Sequence, residues 1–177
     1  MHKFMVFLLE KLSGQPNVLK FLAFTLDYAP VVTAIKDFLR SGGRVELIAD
    51  EYEATRGRTR NMQTALRDLA THGAEVRLAS GSDLETEYAA ASNRSAHAHM
   101  QNFGSRKGRM HAKGFMIGNY GTLGSTNWTV SSRASREVNP VWEYTEEGKE
   151  EFNNIFREIF EGASPFPAGR HQPARST

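Results

Sequence analysis

At 177 residues, with 40% hydrophobic and 24% charged side chains, the chain can bury a sizeable core as one domain, and wholesale disorder is excluded. The formal net charge of +2 and a pI near 9.0 suit an anionic partner such as nucleic acid or an acidic membrane surface. Cysteine is absent, which excludes disulfides, thiolate zinc sites and Cys nucleophiles.

The N-terminal stretch MHKFMVFLLEKL has a basic start and an apolar run. Glu10 and Lys11 interrupt it short of a signal sequence or a membrane span. Met5, Leu8, Leu9 and Leu12 recur at helical spacing, so a core-packed helix is expected, in a soluble, cytoplasmic protein without a membrane-spanning segment. Turn residues 13–17 end it. Val18 to Leu26 is apolar without alternation, as in a strand covered on both faces. Pro30 suits the first turn of a helix carrying Val31, Val32, Ile35, Phe38 and Leu39, which Ser41-Gly42-Gly43 closes.

Val45 to Asp50 is a second strand. A helix from Asn61 to Gly73 follows, with Met62, Ala65, Leu66, Leu69 and Ala70 on one face, and Glu75 to Ala79 is a third strand. This order predicts right-handed crossovers and an α/β fold: a mixed, mostly parallel β-sheet flanked by helices on both faces. Gly81 to Gly108 is polar and is expected to be a long functional loop. Strands are expected at Lys113 to Ile117, Thr122 to Gly124 and Glu137 to Trp142, with Pro140 marking an edge or a bulge in the last. Thr145 caps a final helix with Phe152, Ile155, Phe156, Ile159 and Phe160 as its stripe. One domain over residues 1–161 and a disordered basic tail over 162–177 are expected.

The stretch Met110 to Glu137 concentrates the chemistry. His111 and Lys113, two apart on an expected strand, would project from one face, and the Gly-Ser-x-Asn turn at Gly124 to Asn127 would bring hydroxyl and amide groups beside them. That combination can cradle a phosphate. Singly, His111 would be a surface or packed residue, Lys113 a solvated one, Ser125 and Asn127 a turn and cap, and Glu137 a surface acid. His97 and His99 lack a carboxylate or Cys at ligand spacing and are not taken as a metal pair. Arg56, Arg58 and Arg60, with Arg106, Lys107 and Arg109, could line an approach for a polyanion, whereas Trp128 and Trp142 are expected in the core.

His111-Ala-Lys113 followed by Gly124-Ser125-Thr126-Asn127-Trp128-Thr129 resembles the HKD motif of the phospholipase D superfamily, H-x-K-x4-D-x6-G-S-x-N. The likeness covers about residues 4–160. It looks nearest to the small single-motif members, the bacterial endonuclease-like phosphodiesterases and the Zucchini or cardiolipin hydrolase group. Gly118 stands where the motif has Asp, with Asn119 the nearest polar residue, and the spacer to Gly124 is one residue short.

The resemblance implies a metal-independent phosphodiesterase, with no cofactor, acting foremost as a nuclease on DNA or RNA. His111 would attack phosphorus to give a phosphohistidine, Lys113 and Asn127 would hold the non-bridging oxygens with Ser125 in support, and Glu137 would orient the imidazole. A single motif implies that the second His comes from another copy of the chain, in a C2 homodimer. The alternatives are hydrolysis of a cardiolipin-type phospholipid, and a catalytically weak scaffold that binds nucleic acid.

Overall fold

The structure, a computed structural model, describes residues 2–56, 60–83, 107–133 and 139–167. Helix α1 (His2–Lys11) leads into strand β1 (Val18–Ala23), followed by α2 (Ala29–Arg40) and β2 (Arg44–Asp50). Two helices, α3 (Glu51–Thr55) and α4 (Arg60–Thr71), precede β3 (Glu75–Asp83). Beyond the long connection come β4 (Lys107–Arg109), β5 (Gly114–Ile117), β6 (Tyr120–Leu123), β7 (Trp142–Glu143), α5 (Glu146–Gly162) and β8 (Ser164–Pro165).

The sheet order is β4-β3-β2-β1-β5-β6-β7, with β8 paired to β3. β1 pairs with β2, and β2 with β3, in parallel; the other pairings are antiparallel. The sheet is mixed, as expected, but antiparallel pairings outnumber the parallel ones, which are confined to the three strands that the helical crossovers connect.

Both faces are covered because alternate strand residues are apolar on both sides. Leu19, Phe21, Leu47, Val76 and Phe115 pack with α1, α2 and α4, where Met5, Leu9, Ile35, Phe38, Leu66 and Leu69 are buried. Leu22, Ile48, Ala79 and Met116 face α5 through Phe152 and Phe156. Thr145 caps α5 as expected, its hydroxyl accepting from Gly148 N at 3.2 Å. Ile155, placed in the apolar stripe from the sequence, is instead exposed.

Four expectations change. The first strand ends at Ala23, and the residues after it bond to Trp128 instead of continuing the ladder. Both ends of the segment expected as a loop from Gly81 to Gly108 are strand, since β3 runs to Asp83 and β4 starts at Lys107, and residues 84–106 lie outside the described set. The last strand shortens to Trp142–Glu143 after Pro140, and Trp142 lies exposed on that edge, not in the core. The folded part also runs past residue 161: Ser164–Pro165 pairs with Arg77 and Leu78, and Phe166 N bonds to Val76 O at 2.9 Å. Residues 168–177 of the expected tail lie outside the described set.

Trp128 is fully buried between Phe21 and Phe115, at ring distances of 4.6 and 6.1 Å, and its indole N–H donates to Leu22 O at 2.8 Å. Trp128→Phe keeps most of the packing and leaves that carbonyl without its indole donor. Chemical denaturation is expected to show a loss of about 1–3 kcal/mol with an unchanged slope. A midpoint equal to wild type would contradict this.

Candidate active site

The site forms at the carboxyl ends of β1 and β2, where open parallel sheets place their ligands. β5 runs antiparallel to β1 with Gly114 opposite Leu22, so the residues just before Gly114 sit at that end. β6 returns beside β5 with Leu123 opposite Gly114, which brings Gly124 to Asn127 back to the same place. Gly124 N donates to Lys113 O at 3.0 Å, fastening the turn to the lysine's backbone. Only glycine fits at 114, since a Cβ there would lie 2.3 Å from Thr122 O.

His111 and Lys113 precede the strand instead of lying on it. Their side chains do not share a strand face: His111 is exposed and Lys113 is 2% exposed. They meet through Phe24, which follows β1. The His111 ring stands edge-on to Phe24 at 4.4 Å, and Lys113 Nζ lies 4.6 Å from the centre of the same ring. Lys113 Nζ also donates to His111 O at 2.6 Å. A buried ammonium needs such partners to stay charged.

Asp50, the last residue of β2 and 1% exposed, holds this segment from behind. It accepts from Met110 N and from Glu53 N, both at 2.9 Å, and thereby also caps α3. Arg109 lies 3.3 Å from Asp50, pairs with Glu53, and stacks on Tyr52 at 3.9 Å. Its charge is spent within the protein, so Arg109 is not the open phosphate contact expected from the sequence. Arg56 is exposed at the end of α3. Arg58 and Arg106 lie outside the described residues, and of Arg60 and Lys107 only the backbone is described.

In the turn, Ser125 is exposed and Thr126 is buried. Thr126 N donates to Asn139 Oδ1 at 3.3 Å, and Asn139 donates back to the Thr126 hydroxyl. Asn127 is partly buried, its Oδ1 enclosed without a hydrogen-bond partner among the described residues. Trp128 N bonds to Thr25 O at 3.1 Å, and Trp128 O accepts from Asp27 N and Tyr28 N at 3.0 Å each. Glu137, His97 and His99 lie outside the described residues. Among the described residues no group of His, Asp and Glu is arranged to hold a metal.

Gly118, at the motif's Asp position, lies at the opposite end of the hairpin. With φ +57° it forms the two-residue turn between Ile117 and Tyr120, four pairs away from Gly114.

Sequence reasoning missed Phe24, Asp50 and Asn139. Of these, only Asp50 carried a signal, as a carboxylate ending an apolar strand just before a helix.

Desolvation of the ring pushes the His111 imidazole below its ordinary pKa, the charges of Lys113 and Arg109 add to this, and Asp50 opposes it. Near neutral pH the ring is therefore mostly the free base that a nucleophile requires. An NMR titration is expected to place its midpoint below that of an ordinary histidine. Lys113→Met, which removes one of the repelling charges, should raise the midpoint; no upward movement would contradict the assignment.

A family model described as "Cardiolipin synthase, PLD-like domain" matches residues 17–161. No curated protein matches. Nuc from Salmonella typhimurium, described as a phospholipase D family member, is similar in structure with a TM-score of 0.62 and 18% identity, over 91% of this chain and 89% of that one. NucT from Helicobacter pylori gives 0.67 and 17% identity, over 93% and 92%. TrmBL2, an archaeal chromatin protein with a novel mode of DNA binding, gives 0.54 and 11% identity, over 93% of this chain and 51% of that one. The family match takes in β1 through most of α5, and with them Phe24, Asp50, His111, Lys113 and the Gly124–Asn127 turn, so the chain belongs to the phospholipase D-like family.

Proposed function

We propose that this chain is a metal-independent phosphodiesterase that cleaves nucleic acid through a phosphohistidine, in a site shared by two copies of the chain. The observation that carries the reading is the meeting of His111 and Lys113 on Phe24, with the Gly124–Asn127 turn fastened to the Lys113 carbonyl.

His111, exposed and mostly unprotonated, attacks phosphorus. The buried Lys113 ammonium and the amide of Asn127 stabilise the charge on the non-bridging oxygens, with Ser125 assisting. Because these donors are held by backbone and ring contacts before substrate arrives, little reorganisation is needed in the transition state. Glu137 remains proposed as the carboxylate that orients the imidazole. The His111 of a second copy protonates the leaving oxygen and later activates water.

A homodimer is supported by the exposed apolar side chains of Leu123, Val141 and Trp142 along the β6–β7 edge, next to the site turn. The basic balance of the chain and the DNA binding named for TrmBL2 favour nucleic acid as substrate. The family model's description, naming cardiolipin synthase, makes a phospholipid diester the second substrate class. Among the described residues no helix is long and apolar enough to cross a membrane.

Purified protein in EDTA is expected to cleave DNA or RNA oligonucleotides or a chromogenic phosphodiester, with turnover falling at least about a thousandfold in His111→Asn. Loss of turnover in EDTA, or a fully active mutant, would refute the mechanism. Hydrolysis of cardiolipin vesicles alone would move the substrate to lipid. Salt-sensitive DNA binding without any cleavage would identify a binding scaffold. Mass measurement in solution is expected to give a dimer that Trp142→Glu weakens, and an active monomer would refute the shared site.

A further inference from the structure

His2 is a buried histidine that the mechanism does not use. It lies on α1, ahead of the residues 17–161 that match the family, and is 8% exposed. Its Nε2–H donates to the Asn127 carbonyl at 3.0 Å, and its ring packs against Tyr28 at 5.0 Å and Trp128 at 5.5 Å. The helix beneath it is seated by Met5, Leu8 and Leu9, all buried in the core shared with α2.

Asn127 depends on such support. Its own side-chain oxygen is enclosed and has no hydrogen-bond partner among the described residues, so none of them orients that end of the amide. The backbone around it is fixed instead, by Trp128 N to Thr25 O on one side of the peptide and by His2 to the Asn127 carbonyl on the other. We propose that His2 is a positioning residue for Asn127, so that α1 forms part of the working site although it precedes the family match. This rests on the reading of Asn127 as a phosphate-holding group.

The test compares His2→Phe, which keeps a ring against Tyr28 and Trp128 but removes the donor, with His2→Gln, which restores an N–H of similar reach. With thermal midpoints equal to wild type, His2→Phe is expected to lower kcat about tenfold, the order that loss of one orienting hydrogen bond gives, and His2→Gln to recover most of it. Full kcat in His2→Phe, or equal impairment in both variants, would overturn the proposal.

A second readout needs no activity: the Asn127 carbonyl 13C resonance should move in His2→Phe and return in His2→Gln. If the wild-type chain cleaves no phosphodiester, the functional reading fails, and this resonance alone decides whether the tether exists. An unmoved resonance would refute it.

Discussion

Trp128 is the point on which the site hangs. It follows the Gly-Ser-x-Asn turn directly, and its backbone N–H, its carbonyl and its indole N–H all bond to the stretch from Leu22 to Tyr28. A buried aromatic tied at three polar atoms cannot shift without leaving unpaired groups in the core, each costing about 1–3 kcal/mol. The turn is thus anchored to the exit of β1 on one side and, through Gly124, to the Lys113 backbone on the other. Supports at both ends hold the turn rigid, as the proposed role of its amide and hydroxyl groups requires.

Charge in this region is arranged in two sets. One consists of groups neutralised within the protein: Asp50 against Met110 N, Glu53 N and Arg109, with Arg109 stacked on Tyr52. The other is His111 at the surface and the buried Lys113, both against Phe24. The first set fixes the backbone path of the segment carrying His111, while the second holds the two side chains to which the proposed chemistry is assigned. A charge shielded from water in this way would act more strongly on a nearby anion than a solvated one does, which is the physical ground for the role proposed for Lys113.

Much of this was legible in the sequence, and the failures have physical causes. Apolar runs at Val18, Val45 and Glu75, and helical stripes at Val31, Met62 and Phe152, identified elements whose interiors are fixed by burial. Periodicity placed Lys113 on a strand, but its carbonyl serves Gly124 and its side chain turns back to His111, arrangements that depend on partners distant in sequence or on the local chain path. The five-residue α3 is too short to show a period, and its cap, Asp50, does its other work for Met110, far along the chain. Ser164–Pro165 has the composition of a tail and becomes a strand only because β3 offers it an open edge. The motif residues were recognisable as a set, whereas Phe24, which brings two of them together, looked like one more apolar residue.

The hairpin tip bears on the departure at Gly118. Asn119, its neighbour, accepts from Tyr144 N at 2.7 Å through its carbonyl and from Lys149 Nζ at 3.0 Å through its side chain. The tip is therefore a mooring for the start of α5, at the far end of β5 and β6 from His111 and Lys113. Sequence drift there bears on how firmly the last helix docks, and the strands between insulate the chemistry from it. The departure from the motif at Gly118 thus falls where this chain fastens its last helix, a full hairpin length away from His111 and Lys113.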